Sequence, residues 1–206
     1  MKITLDKIGR RFNQEWIFKN IDYRFLPGNK YAILGPNGSG KSTLLNLILG
    51  ALSPSAGTIE YDFEKKKVDV EAIYQYMSFA APYLDLIEEF TLQETIGFHY
   101  KFKALYEGYS AERVMELLGL AKSQDKPLKY FSSGMKQRTK LALACCTATP
   151  VLILDEPTSN LDKQGISWYH GMMENFTRER LVIIGSNQET EYSFCNHFVQ
   201  ITDFKK

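Results

Sequence analysis

No run of about 18 consecutive apolar residues occurs in the 206-residue chain, so no segment is long enough to cross a bilayer as a helix. Any work at a membrane is therefore expected to go through a partner. The opening Met1-Lys2-Ile3-Thr4-Leu5-Asp6 alternates and carries charge early, which is not the pattern of a secretory leader. Cysteine is scarce. Cys145 and Cys146 are adjacent, Cys195 stands alone, and no C-x-x-C occurs, which argues against a disulfide framework or a zinc site. All three are read as reduced, buried residues of a cytoplasmic protein. Excess charge is missing too. A formal net charge of +1 gives no footprint for a nucleic-acid backbone. Neither internal repeats nor low-complexity linkers interrupt the chain.

What is present suits one compact domain of two lobes. Hydrophobic residues make up 44% and charged residues 24%, ordinary values for a protein with a real core. Ile3 to Ile8 alternates like a strand, and Trp16 to Phe25 forms a second strand-like segment. Leu26-Pro27-Gly28-Asn29 reads as a turn. Tyr31 to Leu34 is a short buried strand ending at Gly35, and Leu44 to Leu49 then runs helically to a stop at Gly50. Thr58 to Tyr61 predicts another strand, and Glu64 to Lys67 a charged turn. From about Leu84 to Leu120 the apolar spacing is helical, with Thr91-Leu92-Gln93-Glu94 as a capped start. Met135 to Ala148 is helical as well. Val151 to Leu154 and Leu181 to Ile184 are continuous apolar runs, as expected of parallel strands covered on both faces.

Residues 35 to 42 read Gly35-Pro36-Asn37-Gly38-Ser39-Gly40-Lys41-Ser42, the G-x-x-x-x-G-K-[ST] phosphate loop, here between a strand and a helix. Its glycines let backbone N–H groups converge on phosphate oxygens, and the following helix, which includes Thr43, turns its positive end to the same anion. Lys41 is expected to reach the β- and γ-phosphates and Ser42 to ligate Mg²⁺. The run Val151 to Leu154 ends in Asp155-Glu156. Ligands of open α/β sheets gather at the carboxyl ends of strands. Asp155 is expected to hold Mg²⁺, and Glu156 to orient or deprotonate an attacking water.

Between these motifs lies Phe131-Ser132-Ser133-Gly134-Met135-Lys136-Gln137-Arg138. This segment resembles the L-S-G-G-Q signature of ATP-binding-cassette (ABC) ATPases, with Phe131, Ser133 and Met135 as departures. Pro157 to Asp162 is similar to that family's D-loop, and Phe12, or else Trp16, lies where the family stacks an aromatic on adenine. The resemblance covers essentially the whole chain. It implies an α/β P-loop cassette with a RecA-like mixed β-sheet core, an N-terminal antiparallel β subdomain and a helical insert. The core lobe is expected at about 1–80 and 150–206 and the helical lobe at about 84–148. It further implies ATP and Mg²⁺ as ligands. The expected activity is ATP hydrolysis driving a transporter, an exporter rather than an importer. The expected location is the cytoplasmic face of a membrane. The partners implied are a separate integral-membrane subunit and a second copy in a head-to-tail dimer, in which Ser132, Ser133 and Gly134 of one copy complete the phosphate loop of the other. No nucleic-acid partner is implied.

Two positions depart from that pattern. Asn187 stands where the family has its switch histidine. Asn can donate a hydrogen bond to a γ-phosphate but cannot shuttle a proton, and His197, ten residues on, is the alternative. Ala80 or Ala81 falls where the Q-loop glutamine is expected, Gln75 being too early. With Lys41, Asp155 and Glu156 present, hydrolysis slower than the family norm is expected. Alternatives are a non-hydrolysing ATP-gated switch and a soluble cassette acting on ribosomes or DNA.

Overall fold

The computed structural model describes residues 1–205. In chain order the elements are β1 (Lys2–Phe12), β2 (Glu15–Phe25), β3 (Lys30–Leu34), α1 (Lys41–Ile48), β4 (Ala56–Phe63), β5 (Lys66–Lys67), β6 (Met77–Ala80), α2 (Leu92–His99), α3 (Ala111–Leu118), α4 (Ser133–Cys145), β7 (Val151–Asp155), α5 (Lys163–Phe176), β8 (Leu181–Gly185), α6 (Glu189–Tyr192) and β9 (His197–Gln200). The chain divides into two compact units. The first comprises Met1–Met77, Pro150–Glu156 and Glu179–Lys206, and the second Ser78–Thr149 and Pro157–Arg178. The helical lobe expected at 84–148 falls in the second unit, to which 157–178 also belong.

The first unit contains an antiparallel sheet in the order β2-β1-β4-β5. Ile3, Leu5 and Ile8 from β1 and Phe18, Ile21 and Phe25 from β2 form its buried face; on β2 the step from Phe18 to Ile21 breaks the period of two, where the β1–β2 register shifts between Ile8 and Arg10 and Asn20 takes φ 58. The step from Leu5 to Ile8 breaks the period of two. The β1–β2 register shifts between those residues, and Lys7 takes φ 49 while its N–H donates to Asp22 Oδ1 at 2.8 Å. A bulge thus returns Ile8 to the core face.

Four strands of a five-stranded sheet also lie in this unit, in the order β7-β8-β3-β9. Their pairings are parallel, with Asp155 opposite Gly185 and Ile33 also opposite Gly185. All five residues of β7 and all five of β8 are buried, as their unbroken apolar runs require. Because the strands run the same way, the chain leaves β3, β7 and β8 at one common edge.

In the second unit, each of the four helices α2 to α5 begins on a short polar side chain that accepts the N–H three residues on: Thr91 from Glu94, Ser110 from Arg113, Ser132 from Met135 and Asp162 from Gly165. Those acceptors satisfy donors that a helix start leaves open, and at Thr91 the capping box is complete. The long helical stretch expected over Leu84 to Leu120 is instead two short helices. Around it the backbone pairs elsewhere: Tyr106 N–H donates to Cys146 O at 2.7 Å, Ala148 N–H to Ala104 O at 2.9 Å, and Leu128 N–H to Phe90 O at 2.9 Å. Hydrogen bonding between distant segments overrode local spacing there. The aromatics of the intervening segment supply packing, with Tyr106 and Tyr109 5.5 and 5.0 Å from the Phe176 ring.

Candidate functional site

The common edge of β3, β7 and β8 collects most of the residues singled out above. Gly35 follows β3, and the loop to Gly40 turns into α1. Gly40 is the N-cap of α1 with φ 106. A Cβ built there would lie 2.6 Å from Ile17 Cγ2 and 3.2 Å from Phe18 Cδ1. So β2 closes on the loop at a place where no side chain fits and where L-residues rarely go. Gly40→Ala is expected to cost roughly 1–3 kcal/mol, seen as a drop of several degrees in melting temperature together with weaker Mg-ATP retention.

Lys41 opens the helix and is only 4% exposed. Its Nζ donates to Gly35 O at 2.8 Å and Pro36 O at 3.2 Å, so the ammonium is held inside the curve of its own loop. Ser39 is 1% exposed, and its buried Oγ has no hydrogen-bond partner among the described residues. A buried hydroxyl without a partner within its own chain costs free energy, which suits a loop built around an anion. Pro36, Asn37 and Gly38 are exposed, and Ser42 and Thr43 half-buried.

Asp155 ends β7 and is 1% exposed. Glu156 follows with φ 40, and its N–H donates to Gly185 O at 2.9 Å. A non-glycine residue in the left-handed region carries strain of order 1–3 kcal/mol that the surroundings must hold in place. Here the bond to β8 does so, fixing where the half-buried carboxylate starts. After β8, Asn187 is exposed and its Nδ2 donates to Asn37 Oδ1 of the phosphate loop at 3.2 Å. His197 does not serve as its replacement. It pairs with Tyr31 and stacks on that ring at 4.7 Å, at the end of β3 away from Gly35. Ala80 and Ala81 are buried and offer no polar atom beyond backbone.

Hard-oxygen donors match Mg²⁺. Asp155 at the strand end and the Ser42 hydroxyl on the first turn of α1 are of that kind. Among the described residues no group of three or more His, Cys, Asp or Glu could hold a metal by itself.

Two aromatics stand out on the antiparallel sheet. Phe12 is 47% exposed and Trp16 40%. The Arg10 guanidinium lies over Phe12, 4.6 Å from the ring centre, and donates to Ser53 O at 2.9 Å. Arg11 sits 5.7 Å from the Trp16 ring.

Ser132, Ser133, Gly134 and Asp162 belong to the second unit. Ser132 and Ser133 are exposed at the tip of α4, and Phe131 is buried at 6%, an apolar anchor beneath the tip. A Cβ on Gly134 would lie 2.9 Å from Asn160 O, so only glycine lets the tip meet that loop closely. Together Ser132, Ser133, Gly134, Met135, Arg138, Asn160 and Asp162 line a cavity of about 350 Å³. Asp162 caps α5 through the Gly165 N–H at 2.7 Å, and Gln137 Nε2 holds Pro157 O at 2.9 Å.

Sequence reading missed Ser186 and Glu191. Both are fully buried and hydrogen-bonded to each other behind Asn187. A glutamate in a short helical segment looks like a solvated charge, and no spacing marked it otherwise.

Comparison with known proteins gives a uniform result. The family model described as ABC transporter matches residues 18–159. The lantibiotic transport ATP-binding protein SrtF of Streptococcus pyogenes is 30% identical over 191 residues, covering 90% of this chain and 79% of that protein. The cytochrome c biogenesis ATP-binding export protein CcmA of Brucella abortus is 29% identical over 186 residues, covering 90% of this chain and 85% of that protein. A structure described as a putative ABC transporter ATP-binding protein from Pyrococcus furiosus superposes with TM-score 0.82 at 20% identity over all of both chains.

Proposed function

Because this chain belongs to the ABC transporter family, we propose that it is the ATP-hydrolysing subunit of a membrane exporter. Its membrane-spanning part is a separate polypeptide. Among the described residues no helix is long and apolar enough to cross a membrane. The observation that carries the reading is the parallel register of β3, β7 and β8, by which the phosphate loop, the Asp155-Glu156 pair and Asn187 leave the sheet at one edge. Exporters are favoured over importers by the Streptococcus and Brucella relatives, whose names carry lantibiotic transport and cytochrome c biogenesis export.

In this reading Lys41 leaves its two carbonyls for the β- and γ-phosphate oxygens, and the loop from Gly35 to Ser42 with Thr43 binds the triphosphate through backbone N–H groups. Phe12 stacks on the adenine. Ser42 and Asp155 would hold Mg²⁺, which supplies charge neutralisation on the phosphates. Glu156 orients a water and takes its proton as the water oxygen bonds to the γ-phosphorus. The bond to the β,γ-bridging oxygen breaks, leaving ADP and phosphate. Asn187 donates a hydrogen bond to the γ-phosphate. Ser132, Ser133 and Gly134 of a second copy close over the nucleotide, with their loop held by Asp162, so two chains pair head-to-tail. The protein works at the cytoplasmic face of the membrane, and its net charge of +1 gives no support to a nucleic-acid partner.

A slow or non-hydrolysing ATP-gated switch is the second reading, favoured by Asn187 and the buried Ala80 and Ala81 at positions where the family expects histidine and glutamine. Copurification from membranes followed by a phosphate-release assay separates the two. A multi-span membrane protein is expected to come down with the chain, and Mg-ATP-dependent phosphate release is expected in that complex. A complex that binds Mg-ATP but releases no phosphate supports the switch, and a chain that recovers no membrane protein removes the transporter assignment.

A further inference from the structure

Glu191 is fully buried (0% exposed) on the one-turn helix α6. A carboxylate out of water needs hydrogen-bond donors. The Ser186 hydroxyl donates to it. The same hydroxyl accepts the Gln188 N–H at 2.9 Å, and the Glu191 N–H donates to Gln188 O at 2.9 Å. Ser186 is also 0% exposed, and its N–H donates to Ile33 O at 3.1 Å, on the strand that leads into the phosphate loop. Residues 186, 188 and 191 thus form a closed ring of hydrogen bonds, and it brackets Asn187, whose side chain reaches outward to Asn37 Oδ1 at 3.2 Å.

A histidine cation would act on a phosphate by charge, which tolerates some misplacement. A carboxamide acts only through a hydrogen bond, which weakens steeply when distance or angle is wrong. An asparagine in this role therefore depends more than a histidine would on whatever fixes its backbone. We propose that Glu191, acting through Ser186, is the positioning residue that holds Asn187 at the phosphate loop, and so sets how well the site distinguishes a nucleoside triphosphate from a diphosphate. The inference rests on the reading of Asn187 as the γ-phosphate donor.

The test is the ratio of Mg-ATP to Mg-ADP affinity, titrated on the full chain. Asn187→Ala is expected to lower that ratio about tenfold, the scale of one hydrogen bond to a charged group. Glu191→Ala is expected to lower it several-fold, and Glu191→Gln, whose side-chain oxygen still accepts from Ser186, to stay within about twofold of the unmodified chain. In the Asn187→Ala background, Glu191→Ala is expected to lower the ratio no further, because both changes remove the same interaction. Ser186→Ala, which deletes one oxygen, gives the same comparison should Glu191→Ala not fold. An unchanged ratio in Asn187→Ala overturns the reading of Asn187 and the proposal with it. A lowered ratio in Asn187→Ala with an unchanged one in Glu191→Ala and Ser186→Ala overturns the proposal alone. So do equal losses from Glu191→Ala in both backgrounds.

Discussion

Lys41→Ala is expected to weaken Mg-ATP binding by roughly two to four orders of magnitude and to abolish turnover. The buried ammonium bonds Gly35 O and Pro36 O, so it is already aimed into the loop that is to receive phosphate. Each charge-assisted hydrogen bond to a phosphate oxygen contributes about 1.5–3 kcal/mol. Losing two of them corresponds to roughly 3–6 kcal/mol, about a hundredfold or more in affinity. Alanine also leaves the two loop carbonyls without their present donor, so the loop itself loosens. Isothermal titration with Mg-ATP, alongside a thermal melt to show that the chain is folded, measures the effect. Unchanged affinity and unchanged phosphate release would remove the phosphate site on which the proposed function rests.

Glu156→Gln is expected to behave differently: phosphate release falls by about a hundredfold to ten-thousandfold, while Mg-ATP is bound as tightly as before or tighter. Glutamine has nearly the shape of glutamate and keeps the Glu156 backbone bond to Gly185 O. It cannot take a proton from water. If two chains close over ATP and open after hydrolysis, the variant accumulates as a dimer in Mg-ATP but not in Mg-ADP. Size-exclusion chromatography with light scattering reads this directly. Full turnover in Glu156→Gln removes the residue from the chemistry, and a monomer in saturating Mg-ATP contradicts the head-to-tail pairing.

Some of this architecture could be read from the chain because local chemistry determines it. The run from Gly35 to Ser42 demands backbone conformations that few other residues permit, and φ 106 at Gly40 bears that out. The unbroken apolar runs at Val151 and Leu181 became the buried strands β7 and β8, and the Thr91 capping box formed as its spacing indicates. Other parts were illegible because distant segments determine them. The aromatics between Tyr100 and Tyr109 look helical by period, but the backbone there is claimed by residues 146 to 148. The bulge at Lys7 depends on β2 and Asp22, and neither can be seen from β1 alone. At the site, the carboxylates and the lysine could be named beforehand. The buried ring beneath Asn187 could not, because burial of Glu191 is a property of the assembled sheet and not of its neighbours in sequence.

The left-handed backbone at Glu156 has an outcome for anyone who selects variants by heat resistance. Glycine is at ease with φ 40, and asparagine tolerates it better than glutamate does. A library screened on melting alone is expected to drift toward those residues at this single codon and, on the role proposed for Glu156, to lose the group that takes the proton from water. Thermotolerance screening of this protein therefore needs a second filter on phosphate release.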